Sequence, residues 1–158
     1  MTFAGNGIRL FSATLLALVF WLPAAQADDH HGTAEEAQAM VGEAVAHFDE
    51  VGAERAFATF SDDQASMFRD GDLYVFVFDG DGTIVSHGVD ESLIGVDATQ
   101  LADVDGKKFV QEMLSDASMD GTWVDYKWED PMTGEIEPKS SWVVLHDGYV
   151  FGVGIYKP

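Results

Sequence analysis

The chain contains no cysteine. That excludes a disulfide framework, a thiol nucleophile and any thiolate metal site. Basic residues are scarce: eight Lys and Arg stand against 28 Asp and Glu, a formal charge of −20. A field of that sign repels nucleic acid and anionic membrane surfaces, so neither is expected as a partner. It reads as solubility in a saline medium. Long apolar runs are also missing. The longest, "LFSATLLALVFWL" (10–22), is too short to span a bilayer comfortably. No repeat, long linker or low-complexity segment interrupts the rest. With 47% apolar residues, the chain can build one sizeable core.

What is present begins with that apolar run. Arg9 precedes it, and "PAAQA" follows with Ala25 and Ala27 in an A-x-A arrangement. This is the pattern of an export leader cleaved after Ala27. The expected organisation is a signal peptide over 1–27, a flexible tail over 28–34 and one domain over 35–158. The processed protein is then periplasmic or secreted, with no membrane span. Loss of Arg9 leaves seven basic residues and a formal charge of −21. Cleavage there would also place a free amine on "DDH", with His30 third. Amine, two backbone amides and imidazole suit square-planar Cu(II) or Ni(II), which makes His30 the one candidate metal ligand. A polar, frayed tail is the alternative reading of the same residues.

The remaining sequence predicts an α+β fold. Thr33 and Glu36 form a capping-box pattern ahead of a helical stretch over 33–60. Ala37, Met40, Val41, Ala44, Val45, Phe48 and Val51 recur at the helical period, and Gly52 kinks or ends the run. "DLYVFVFD" (72–79) predicts a strand covered on both faces, because Tyr74, Phe76 and Phe78 lie on one and Leu73, Val75 and Val77 on the other. "GDG" turns it into a returning strand, "TIVSH". The same region mimics a calcium loop, but Ile84 stands where the loop needs glycine and Asp90 where it needs glutamate. Short helices are expected over 97–104 and 105–118, then strands over about 122–128, 140–146 and 149–156. The result is a long N-terminal helix on an antiparallel sheet of about five strands.

No chemistry of an enzyme emerges. Ser86 beside His87, and Ser140 beside Ser141, lack an elbow or oxyanion motif, and no cofactor is implied. The last 38 residues carry more information. They hold Trp123, Trp128, Trp142, Tyr126, Tyr149 and Tyr156 around Lys139, the lysine that follows a proline, fixed by Pro138 at a predicted strand entrance. Aromatics with polar tips suit a core that ends in a pocket. A lysine among them is a point charge for a carboxylate, and a lysine solvated at the surface is the alternative reading. Gly152 and Gly154 share a strand face, which implies close approach by a helix or a ligand.

In order, "GDLYVFVFDGDGTIVSH", "LIG", "DVDGKKFV", "GTWVDYKWEDP", "EPKSSW" and "GVGIY" resemble the single Cache domains, PAS-like extracytoplasmic sensor modules. The resemblance is nearest to the stand-alone exported members and runs from about Glu35 to Lys157. It implies a long N-terminal helix on a curved, PAS-like sheet and a pocket for a small organic acid. It carries ligand contacts onto Tyr74, His87, Tyr126, Trp128 and Lys139, with Trp142 where the family usually has tyrosine. Gly88 replaces the family's usual proline. The resemblance also implies a membrane receptor or sensor kinase as partner, since the chain stops shortly after "GIY". The function expected is short-chain organic acid binding or sensing without catalysis. An interaction module with a vestigial pocket, or an enzyme, are the alternatives.

Overall fold

The computed structural model describes residues 31–62 and 66–157. The leader and His30 lie outside them. Helix α1 (Ala34–Val51) starts where the capping box sits. The Thr33 hydroxyl accepts the Glu36 N–H at 3.2 Å, and the Glu36 carboxylate accepts the Thr33 N–H at 2.9 Å. Two orphan donors of the first turn are thereby satisfied. Thr33→Ala is expected to lower unfolding free energy by about 1 kcal/mol in urea titration, and an unchanged midpoint would show the cap to be dispensable. Gly52 takes φ +82°, ends α1 and lets α2 (Ala53–Phe60) set off in a new direction.

Among the described residues six strands follow: β1 (Arg69–Asp70), β2 (Leu73–Phe78), β3 (Ile84–His87), β4 (Thr122–Glu129), β5 (Ile136–His146) and β6 (Tyr149–Tyr156). They form one antiparallel sheet in the order β1-β2-β6-β5-β4, with β3 also paired to β2. The strand beyond the expected five is the two-residue β1, which shares one edge of β2 with β3. Helix α3 (Phe109–Asp116) lies between β3 and β4.

The alternation of β2 divides the core in two. Leu73, Val75 and Val77 join Phe151 and Val153 under α1 and α2, where Phe48 meets Phe57, Tyr149 and Phe151. Tyr74, Phe76 and Phe78 join Val124, Tyr126, Val143 and Val150 on the other face, under α3 and the 88–104 segment. All six β2 residues are buried, as a strand covered twice must be.

Two expected helices are shorter than the sequence suggested. Residues 97–104 supply only a 3-10 turn, Ala98–Gln100, and α3 starts at Phe109 instead of 105. The reason is Asp103, whose carboxylate accepts the N–H groups of Asp105 and Lys107 and folds them into a turn at Gly106, φ +83°. The other Asp103 oxygen accepts the Lys127 N–H of β4 at 3.1 Å, and the Lys107 ammonium donates to the Asp125 carbonyl beside it. Strand β5 begins at Ile136, so Lys139 stands inside the sheet and not at a strand entrance.

The glycines of β6 answer the question of close approach. A Cβ on Gly152 would lie 2.3 Å from Cζ of Phe76, its partner across the sheet. One on Gly154 would lie 2.2 Å from Cε of Lys139. A ring and a lysine stem from neighbouring strands fill the two vacant places, and neither the long helix nor a ligand is needed there.

Candidate functional site

The face of the sheet away from α1 holds a small apolar chamber. Tyr74, Phe76 and Phe78 of β2 form its floor with Ile84 and His87 of β3. Tyr126 and Trp128 of β4 and Phe109 and Val110 of α3 wall it, and Leu93 and Leu101 close the top. Phe109 stacks on Tyr126 with centroids 4.3 Å apart and planes 7° from parallel, which fixes that wall. The free space is about 30 Å³, where one water needs ~10–15 Å³. Outside it lies a vestibule of about 350 Å³, lined by Arg69, Val89, Asp90, Glu129 and Pro131 and sharing His87, Leu93 and Trp128 with the chamber.

His87 is oriented by its own turn. Its Nδ1 accepts the Asp90 N–H at 3.0 Å and, more weakly, the Val89 N–H at 3.5 Å. An accepting Nδ1 puts the proton of the neutral ring on Nε2, which is therefore a donor. Burial, and then the charge of Lys139, push its pKa down to about 4, against the opposing pull of Asp90. The imidazole is neutral near pH 7. The Tyr126 hydroxyl is already engaged, sharing a hydrogen bond of 2.9 Å with Ser141 Oγ.

Lys139 is only 1% exposed and does not line the chamber. It lies behind it. Its Nζ donates to the hydroxyls of Tyr74 at 2.7 Å and Tyr156 at 3.1 Å, and it sits over both rings, 4.0 and 4.6 Å from their centroids. Burial pushes its pKa down to about 7, although the carboxylates of Asp72 and Asp130 pull the other way. Both aspartates are fully buried. Asp72 is held by the Gly32 N–H at 2.8 Å and by His31 Nδ1 at 3.1 Å, so the chain entering α1 is tied to this cluster. Asp130 accepts from the Met132 N–H at 2.7 Å, while its Oδ2 is without a hydrogen-bond partner among the described residues.

Of the residues expected at the site, Tyr74, His87, Tyr126 and Trp128 meet around the chamber, and Lys139 reaches it through Tyr74. Trp142 does not join them. It lies across from Trp123 and Val153 on the α1 face, over Gly121, whose Cβ would fall 2.1 Å from Cζ2 of the indole. Three residues along a strand is an odd step, so Lys139 and Trp142 must point to opposite faces. Sequence reasoning gave no place at the site to Asp72, Asp130, Phe109 or Val110, and it counted Tyr156 among the aromatics near Lys139 without making it a partner of the ammonium. Period-two alternation in "GVGIY" could have put Tyr156 on the Lys139 face. Nothing local marks the two aspartates as buried.

A family model described as Single Cache domain 2 matches residues 23–156. Over 87 residues the chain is 38% identical to a sensor histidine kinase, MctS, of Rhizobium johnstonii; the match takes in 54% of this chain and 19% of that kinase. The chain thus spans a small part of that relative's length. Among solved structures it is similar to a methyl-accepting chemotaxis protein from Vibrio parahaemolyticus, with a TM-score of 0.67 and 21% identity over 77% of this chain and 86% of that one. It is also similar to a Cache chemosensory domain described for carboxylic acid recognition, with a TM-score of 0.64 and 21% identity over 78% and 92% of the two chains. At such identities the structural likeness establishes the α+β, PAS-like fold and nothing finer. No helix among the described residues is long and apolar enough to cross a membrane.

Proposed function

From the premise that this chain belongs to the single Cache domain 2 family, whose members are sensory modules, we propose that it binds a short-chain carboxylic acid in the chamber under α3, outside the cytoplasm. The carrying observation is His87: a neutral imidazole with its donor fixed at Nε2, at the junction of an apolar chamber and a polar vestibule. The acid's carbon chain packs among Phe76, Phe78, Phe109 and Trp128. One carboxylate oxygen accepts from His87 Nε2. Lys139 supplies positive potential from behind Tyr74, in surroundings dry enough for a single charge to matter. The reading assigns no catalysis. The leader-like N-terminus and the family favour a periplasmic or secreted protein whose bound state is read by a membrane receptor or sensor kinase. One structural solution described for carboxylic acid recognition shares this fold, which supports the choice of ligand class.

The reading is tested by thermal shift and calorimetry with C2–C4 monocarboxylates. An acid at a hundred times its Kd should stabilise the protein by about 2.7 kcal/mol, several degrees in Tm. His87→Asn keeps an acceptor for the Val89–Asp90 turn and withdraws the Nε2 donor. It should weaken binding about 10- to 100-fold, the worth of one hydrogen bond to a charged group. The smallness of the chamber favours a second reading, an interaction module whose pocket is vestigial. Absence of any shift at millimolar acid would establish that second reading over the first.

A further inference from the structure

We propose that Leu93 sets the length of acid the site accepts; the inference rests on the acid-binding reading and names its selectivity. Three side chains, His87, Leu93 and Trp128, line both the chamber of about 30 Å³ and the vestibule of about 350 Å³. They are the partition between the two. His87 is tied to the Val89–Asp90 turn by its ring nitrogen, and Trp128 packs edge-on against Phe109. Leu93 is the one aliphatic member, and only its branched tip has to go for the two spaces to join.

The backbone under Leu93 does not depend on that tip. Leu93 ends the 3-10 turn Glu91–Leu93, capped by the Asp90 carboxylate on the Ser92 N–H at 2.9 Å. The turn is stitched to β3 by Ile84 N–H to the Val96 carbonyl at 3.0 Å and Gly95 N–H to the Ile84 carbonyl at 2.8 Å. Trimming the side chain therefore leaves the His87 donor and the loop in place. With the partition intact, an acid whose carboxylate sits at His87 has room for two or three heavy atoms inward. With it shortened, the chamber joins the vestibule beside His87, a longer chain can bend past residue 93 into that space, and each further methylene removed from water adds affinity.

The experiment is calorimetry of acetate, propionate, butyrate, pentanoate and hexanoate on the wild type and on Leu93→Ala, Leu93→Val and Leu93→Phe. The wild type should prefer the shortest acids. Leu93→Ala should shift the ratio of pentanoate to propionate affinity upward by about tenfold, two methylenes' worth. Leu93→Val should shift it the same way by less, and stands in if alanine unfolds the loop. Leu93→Phe should shift it downward. Acid binding with the same length profile in all four proteins overturns the gate and leaves the acid-binding reading standing. No binding of any acid by any of them overturns both.

Discussion

Lys139→Ala should cost this protein about 2–4 kcal/mol of unfolding free energy, an effect expected of a core residue and not of a lysine. The alanine removes a long buried stem and leaves the hydroxyls of Tyr74 and Tyr156 without their donor, inside a region also holding Asp72 and Asp130. Relief of the cost of burying an ammonium offsets part of the loss, as the depressed lysine pKa requires. Gly154→Ala should cost about 1–3 kcal/mol for the opposite reason, since its Cβ would lie 2.2 Å from Lys139 Cε and 2.5 Å from Ser141 Oγ. The two should not add. Once the lysine stem is gone the new methyl has space, so the double variant should be more stable than the sum of the two losses predicts, by about 1 kcal/mol. Urea unfolding of the four proteins measures the cycle. A Lys139→Ala loss below ~0.5 kcal/mol would return Lys139 to the surface, and strict additivity would deny the contact.

Affinity for a carboxylate should fall as pH rises through about 7. Lys139 without ligand titrates near that pH, carrying its charge below it and losing it above. An anion held at His87 favours the charged form and raises the lysine pKa in the complex. Above pH 7, binding must therefore draw a proton from solvent. The affinity then weakens by up to about tenfold per pH unit until the pKa of the complex is reached. His87 does not confuse the profile, because its own pKa has been pushed down to about 4. Calorimetry at pH 8 in buffers of different ionisation enthalpy reads the proton directly. Lys139→Met should flatten the profile and abolish the buffer dependence. A wild-type affinity that is constant from pH 6 to 9 would remove Lys139 from the electrostatics of the site.

The pieces that sequence could reveal are those governed by local rules. Thr33, Glu36 and the apolar stripe behind them specify α1 within a few residues of one another. The two apolar faces of β2 announce a strand buried on both sides. Lys139 was legible as unusual by its company, but its fate was not. The hydroxyls that hold it come from Tyr74 and Tyr156, 65 and 17 residues away, and a lysine read without them defaults to water. Trp142 shows the reverse failure. Strand alternation alone would have placed it opposite Lys139, and family likeness drew it to the wrong face. In "DVDGKK" the helical reading lost to a competitor one residue wide, since a carboxylate that bonds nearby N–H groups offers the backbone an alternative to the helix.

That carboxylate has a consequence for the edge of the sheet. Strand β4 is the last in the sheet, and the outward backbone groups of such a strand invite another chain to add on. Asp103 already occupies the Lys127 N–H, and Lys107 already occupies the Asp125 carbonyl. An incoming β-segment would have to displace an acid and an ammonium before pairing across the middle of the strand. The pair thus acts as a stopper against fibril growth, placed midway along the longest sheet edge among the described residues, where stacking of identical copies could otherwise begin.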